Sequence, residues 1–338
     1  MSNAAEPIQA SPWHAGEVAL QRSAGVAEKM AAHGRVIRDH MLDQHRQFYP
    51  LLPFIVAGAV DDAVDGGGDA WATILSGQPG FLQAPDPRRL SIAAARDARD
   101  PADGGMNDGD AIGLLGIELH TRRRNRLNGK VRRTGAEHFD VTVEQSFGNC
   151  PQYIQLRDFA FVRDPAMPAA QQPLKLDRLD ERARAMIAEA DTFFVASYVD
   201  RAAAGREVDV SHRGGKPGFV RVGADDVLTI PDFSGNRFFN TLGNLIANPR
   251  AGLLFVDFET GDLLQLSGDA AVVLDSPEIA AFQGAERLWR FTPRRIVHRP
   301  GALPLRWTFQ QDGWSPQSLR TGSWGEAGRR PAERHAGR

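Results

Sequence analysis

The chain of 338 residues has one cysteine, Cys150. That excludes an intrachain disulfide framework and fits a reducing compartment. An excess of either charge is also missing. Lys and Arg number 40 against 42 Asp and Glu, a net charge of −2, so no global field recruits nucleic acid or a membrane surface. No apolar run approaches the length of a membrane span. The opening MSNAAEPIQASPWHAGE lacks a basic segment followed by an apolar one, so no signal peptide is expected. These absences predict a cytoplasmic protein with no nucleic-acid and no membrane partner. There is no HExxH, CxxC, Walker A loop, G-x-S-x-G or GxGxxG after a strand, and the nine histidines are scattered without metal-ligand spacing.

What is present is a repeat. GQPGFLQAPDPRRLSI at 77–92 matches GKPGFVRVGADDVLTI at 215–230, an offset of 138. FIVAGAVD at 54–61 matches FFVASYVD at 193–200, and GLLGIELHTRRRNRLNG at 113–129 matches GLLFVDFETGDLLQLSG at 252–268, both read at 139. Gly-x-Pro-Gly alone is ordinary turn chemistry. Three blocks in one order point instead to an internal duplication of a domain-sized unit.

Propensity and periodicity predict an N-terminal arm with helices (1–41), a first, diverged unit (42–165), a second unit (172–312) and a disordered Gly/Arg/Pro-rich tail (313–338). A buried strand is expected at 52–60, paired in a hairpin with 71–75, with further strands at 193–199, 263–267 and 270–274. The polar stretch 95–110 reads as a loop. Helices are expected at about 178–190, with Asp177 as N-cap, and within SGNRFFNTLGNLIANP (234–249). Helix followed by several short antiparallel-looking strands, without βαβ alternation, argues for mainly β units with flanking helices, each a small closed or partly closed barrel.

Five stretches could carry chemistry. In SGNRFFNTLGN (234–244) a polar turn feeds a helix, where free N–H groups favour an anion. Ser234, Asn236, Arg237 and Asn240 would add hydrogen bonds and charge, or Ser234 merely caps the helix. The matching stretch of the first unit, 95–112, carries Asp97, Asp100, Asp103, Asp108 and Asp110 and would repel an anion, which suggests one anion site per pair of units. In DVSHRGG (209–215), Ser211 and Arg213 share a strand face with His212 opposite. In TRRRNRLNGK (121–130), alternation puts Arg122, Arg124 and Arg126 on one face. That face is expected to be solvated, with a contribution to an anionic ligand across the unit interface as the alternative. Cys150 in QSFGNCPQYIQ has no partner spacing of a nucleophile, and its segment shapes a turn against a ligand or the core. ERLWRFTPRRIVHRPG (286–301), with Trp289, Phe291, Arg294, Arg295 and His298, reads as packing or as a lid over a planar ligand.

These blocks, above all DTFFVAS, DVSHRGGKPGFV and LTIPDFSGNRFFNTLGNLIANPRAGLLF, resemble the pyridoxamine 5′-phosphate oxidase-like FMN-binding split-barrel family over about residues 42–275. The resemblance implies two six-stranded split barrels with FMN between them. It implies FMN phosphate contacts at Ser234, Asn236, Arg237 and Thr241, and a strand carrying Ser211 and Arg213 along the flavin. Where B6 oxidases often grip the phosphate with an arginine and a lysine, this chain has Asn236-Arg237, and vitamin B6 oxidase activity is not carried over. The expected function is an FMN-dependent oxidoreductase acting on a small molecule and fed by NAD(P)H. Its two units would form a pseudo-dimer within the chain, and a further homodimer is open. Arg213 would stabilise the reduced flavin anion. The alternatives are a non-catalytic flavin carrier or a haem-binding protein ligated by His298 or His212.

Overall fold

Apolar runs that never alternate become strands covered on both faces. The computed structural model describes residues 11–63, 68–133, 135–202 and 205–328. Helices α1 (Ala15–Ser23), α2 (Ala27–His33) and α3 (Asp43–Arg46) precede a first set of strands: β1 (Phe54–Asp61), β2 (Asp69–Ser76), β3 (Leu82–Asp86), β4 (Arg89–Ile92), β5 (Ala111–Glu118), β6 (Arg123–Arg133) and β7 (Phe139–Gly148). β8 (Arg157–Phe161) and β9 (Leu174–Leu176) lead to α4 (Glu181–Glu189). The second set is β10 (Thr192–Arg201), β11 (Gly205–Gly214), β12 (Arg221–Val222), β13 (Leu228–Phe233), then α5 (Asn240–Ala247), β14 (Arg250–Val256), β15 (Leu263–Val273), α6 (Pro277–Ala281) and β16 (Ala285–Arg299). β17 (Leu305–Phe309), α7 (Pro316–Leu319) and α8 (Trp324–Ala327) follow. The molecule is mainly antiparallel β with few helices, and among the described residues no helix is long and apolar enough to cross a membrane.

The first sheet runs β2-β1-β5-β6-β7-β4-β3 and the second β11-β10-β14-β15-β16-β13-β12, the same order element for element. Both carry a register shift at matching points, Asn128/Gly129 in β6 and Ser267/Gly268 in β15. The expected barrels had six strands each. The paths have seven, with β9 added beside β16 as an eighth strand of the second sheet, and are open, because β3 and β12 each pair with only one neighbour and do not close onto β2 or β11. The shift at Ser267/Gly268 also explains why one strand, β15, read as two.

β1 shows why alternation is missing. Ile55, Ala57 and Ala59 face a core with Trp71, Leu114, Leu127 and Val141. Phe54 and Val56 face the other way, into a second core shared with Phe194, Ala196, Val210 and Leu254 of the other sheet. The two sheets meet back to back through β5 on β11 and β14 on β2. Glycine is required at both crossings: a Cβ on Gly113 would sit 2.6 Å from the Val208 carbonyl oxygen, and one on Gly252 would sit 2.4 Å from that of Ala70. Strands this close exclude water, so the shared core is a full interior.

Four local expectations change. α4 starts at Glu181, capped by Asp180, whose carboxylate accepts from Ala183 N at 2.8 Å, rather than at Asp177. α5 starts at Asn240, so Ser234 is not its cap; Asn236 Oδ1 accepts from Phe238 N and holds 234–239 as a loop. Residues 286–301 are not a lid but mostly strand β16, with Trp289 and Phe291 fully buried. The tail expected to be disordered is ordered through 328: Trp324 packs edge-on to Phe282 at 4.9 Å, and Ser318 is buried. Residues 329–338 lie outside the described residues.

Candidate functional site

One cleft opens between the halves. Its walls are the start of β6 (Arg124, Arg126), the segment Asn149–Tyr153, the end of β11 (Ser211 to Gly214), the turn from Pro231 to Leu242, and Arg287 of β16, around about 940 Å³ of space including the mouth. Ser211, Arg213, Ser234, Asn236, Arg237 and Thr241, singled out in sequence, all line it.

β-strand alternation delivers the β6 arginines. Arg124 and Arg126 point away from the core of their own sheet and reach the second half. Arg126 is 4% exposed; it donates to Asp209 Oδ1 at 3.1 Å, to Asn240 Oδ1 at 3.1 Å and to the Ser211 hydroxyl. Thr241 Oγ1 donates to the same Ser211 oxygen at 2.9 Å. Arg124 donates to the Cys150 carbonyl at 2.7 Å and faces His212 Nδ1 at 3.3 Å. The solvated-face expectation therefore fails for these two residues, while Arg123, on the opposite face of the strand, is exposed. Arg122 leaves the pattern altogether. It takes φ 58° in the turn before β6 and donates to the carbonyls of Ile154, Gly313 and Trp314.

On the opposite wall, Arg213 Nη1 donates to Asp232 Oδ1 at 2.6 Å, and Arg287 bridges Asp232 and Glu286. Arg237 forms a two-pronged bond to Glu286, at 2.6 and 2.7 Å, and also meets the Ser234 hydroxyl. Non-glycine residues with positive φ concentrate here: Tyr153 (64°), Arg237 (64°) and Phe239 (63°). Each costs of order 1 kcal/mol and persists only where surrounding contacts fix it. Tyr153 is fixed by the tail on one side and by the end of β13 and the turn after it on the other. Its N–H donates to Ser315 Oγ, its hydroxyl donates to the Ser234 carbonyl, and its ring stacks on Phe233 at 5.4 Å. Asn236 Nδ2 joins the two walls at Asn149 Oδ1, 3.3 Å away.

The electrostatics favour an anion. Five guanidinium groups (Arg124, Arg126, Arg213, Arg237, Arg287) face three carboxylates (Asp209, Asp232, Glu286), which leaves two positive charges over. Arg124 has no carboxylate partner among the described residues, and burial, with Arg126 and Arg213 adding repulsion, lowers its pKa to about 10. His212 is held well below the usual imidazole value by burial first and then by Arg124, Arg213 and Arg157. Neutral His212 can accept at Nδ1 from Arg124. Burial, with Glu286 and Asp232 adding to it, raises the Tyr153 hydroxyl to about 12, so it stays a donor. Several buried polar atoms on these walls have no protein partner: Arg126 Nε, Asn149 Nδ2, Arg213 Nε and His212 Nε2. Such groups are costly to leave unpaired.

Sequence reasoning missed Tyr153 and Arg287 and underweighted Arg124 and Arg126. The pairing of TRRRNR with the basic-free TGDLLQLSGD was the available signal, since charge that the fold does not need is free for a ligand. His298, the other histidine considered for haem, does not line this cleft and is bonded to Asp262 at 3.1 Å from β16. Among the described residues no group of three or more His, Cys, Asp or Glu is placed to hold a metal ion.

No protein-family model and no curated protein matches the sequence. Solved structures are similar over part of the chain. HupZ of Group A Streptococcus is 17% identical, covering 35% of this chain and 90% of its own, with a TM-score of 0.28. An FAD binding protein from Mycobacterium smegmatis is 16% identical, covering 37% and 98%, with a TM-score of 0.25. An FMN-binding protein from Syntrophomonas wolfei subsp. wolfei is 13% identical, covering 39% and 86%, with a TM-score of 0.23.

Proposed function

We propose that the two halves are copies of one split-barrel unit and that the cleft between them binds a flavin, FMN, at one site per chain. The observation that carries this reading is the surplus of two positive charges, with unpaired buried donors, in a cleft walled by stacked aromatic rings. A dianionic phosphate neutralises that surplus, and Tyr153, Phe233 and Leu115 offer apolar area to a planar ring. Matching strand order and matching register shifts support the copied-unit part.

In this reading Ser211, Thr241, Arg126 and Arg124 bind the anionic end, Asn236 and Arg237 close over it, and Arg213 sets the charge beside the ring system. Bound flavin supplies hydride and electron transfer, and an NAD(P)H-type donor feeding it makes the chain an oxidoreductase. The residues themselves orient the ligand, exclude water and hold positive charge.

The test is the visible spectrum of protein mixed with FMN and desalted. The wild type keeps about one flavin per chain, riboflavin binds more weakly than FMN, and Arg124→Ala weakens FMN by about 2 kcal/mol, roughly 30-fold. Wild-type protein that releases FMN, or that binds riboflavin as tightly, refutes the reading. Anaerobic NAD(P)H that fails to bleach retained flavin removes the oxidoreductase part and leaves a carrier.

A further inference from the structure

The cleft is one of two corresponding corners of this molecule, and the other is filled by the chain itself. Strand registers establish the correspondence. Val56 pairs with Ile74 and Leu115, as Phe194 pairs with His212 and Leu254. Leu115 pairs with Arg126 as Leu254 pairs with Gln265. Thr73 thus takes the place of Ser211, and Gln265 that of Arg126. Arg126 pairs with Phe147 and Gln265 with Val297, so two positions further on Arg299 takes the place of Asn149.

In the cleft, Arg126 Nε and Asn149 Nδ2 have no protein acceptor. In the other corner all three counterparts converge on one group, the carboxylate of Asp100. The Thr73 hydroxyl and Arg299 Nη1 (2.7 Å) donate to its Oδ2. Gln265 Nε2 and the Ala102 N–H, each at 3.0 Å, donate to its Oδ1. Thr73 and Gln265 are fully buried, and Asp100 and Arg299 nearly so. Four donors around a buried carboxylate form an oxyanion site in all but the tether, since Asp100 arrives on the irregular loop after β4 rather than from solution.

We propose that this corner is a second anion site whose occupant is the Asp100 side chain, and that removing that side chain opens it to a small free carboxylate. The Asp-rich loop is then not a surface that repels an anion but the source of one. This goes beyond the flavin reading and does not depend on it, because the probe is formate.

Thermal unfolding is followed in sodium formate against sodium chloride at equal ionic strength for wild type, Asp100→Gly and Asp100→Asn. Formate stabilises Asp100→Gly in a saturable way; at tenfold its dissociation constant the folding equilibrium shifts roughly tenfold. Wild type, and Asp100→Asn with its corner still filled, do not respond. Equal responses from the three proteins overturn the proposal. If Asp100→Gly does not fold in chloride, the yield of refolded protein in formate against chloride is the readout, and no gain in formate overturns the proposal as well.

Discussion

Glu17 offers a quantitative test of how the N-terminal helix holds the cleft. It lies on α1, is 3% exposed, and accepts from His14 N at 3.0 Å and from Asn240 Nδ2 at 2.6 Å. Asn240 in turn accepts from Arg126, so this carboxyl group fixes a cleft wall. Burial above all, helped by the charge of Asp209, raises its pKa from the usual 4.5 to about 8. The folded state therefore keeps a proton that the unfolded state has lost. Stability from this group is fully present below pH 4.5 and is lost as pH rises through 8. Each pH unit inside the window is worth about 1.4 kcal/mol, and from pH 7 to pH 9 the loss is about 1.4 kcal/mol, or about 2 °C in Tm. Buried His14, His45 and His212, all lowered chiefly by burial, act with the opposite sign: the unfolded chain takes their protons first, so stability falls as pH drops below about 6.5. A stability maximum near neutrality results. Glu17→Gln keeps the size and an acceptor but not the titration. Its Tm, read by circular dichroism at constant ionic strength, should lack the alkaline decline from pH 7 to pH 9. Wild type and Glu17→Gln with the same slope in that window would show that Glu17 is not protonated in the fold.

Two further outcomes follow from the packing. Gly252→Val drives a side chain into the β14–β2 crossing, where even a Cβ lies 2.4 Å from a carbonyl oxygen, so it should separate the sheets at a cost of about 3 kcal/mol or leave insoluble protein; wild-type stability in urea would contradict the shared core. Deleting residues 313–338 removes the partners of Tyr153, Gln155 and Arg122, so it should loosen the cleft wall and speed hydrogen exchange at 150–156, whereas unchanged exchange there would mean that the tail does not support the site.

The turn at 234–241 and the face of β11 were legible in sequence because local chemistry marks them: small polar residues before an apolar helical period, and alternation along a strand. The β6 arginines were not. Alternation assigns Arg124 and Arg126 to one face, but whether that face meets water or another half of the same chain is a tertiary fact. At β1 the best sequence match and the facing of the side chains differ by one residue. FIVAGAVD and FFVASYVD match best by identity at an offset of 139, yet Ile55 and Ala57 face their core as Phe193 and Val195 face theirs, an offset of 138. A one-residue slip flips every side chain to the other face, and a strand buried on both faces carries no polar residue to reveal the error. The aspartates of 95–110 misled for a related reason. Composition counts their charges but not their partners, and Arg96, Arg99 and Arg299 are bonded to them. The same carboxylate that reads as an obstacle to an anion is, once Thr73, Gln265 and Arg299 surround it, the anion that the corner holds.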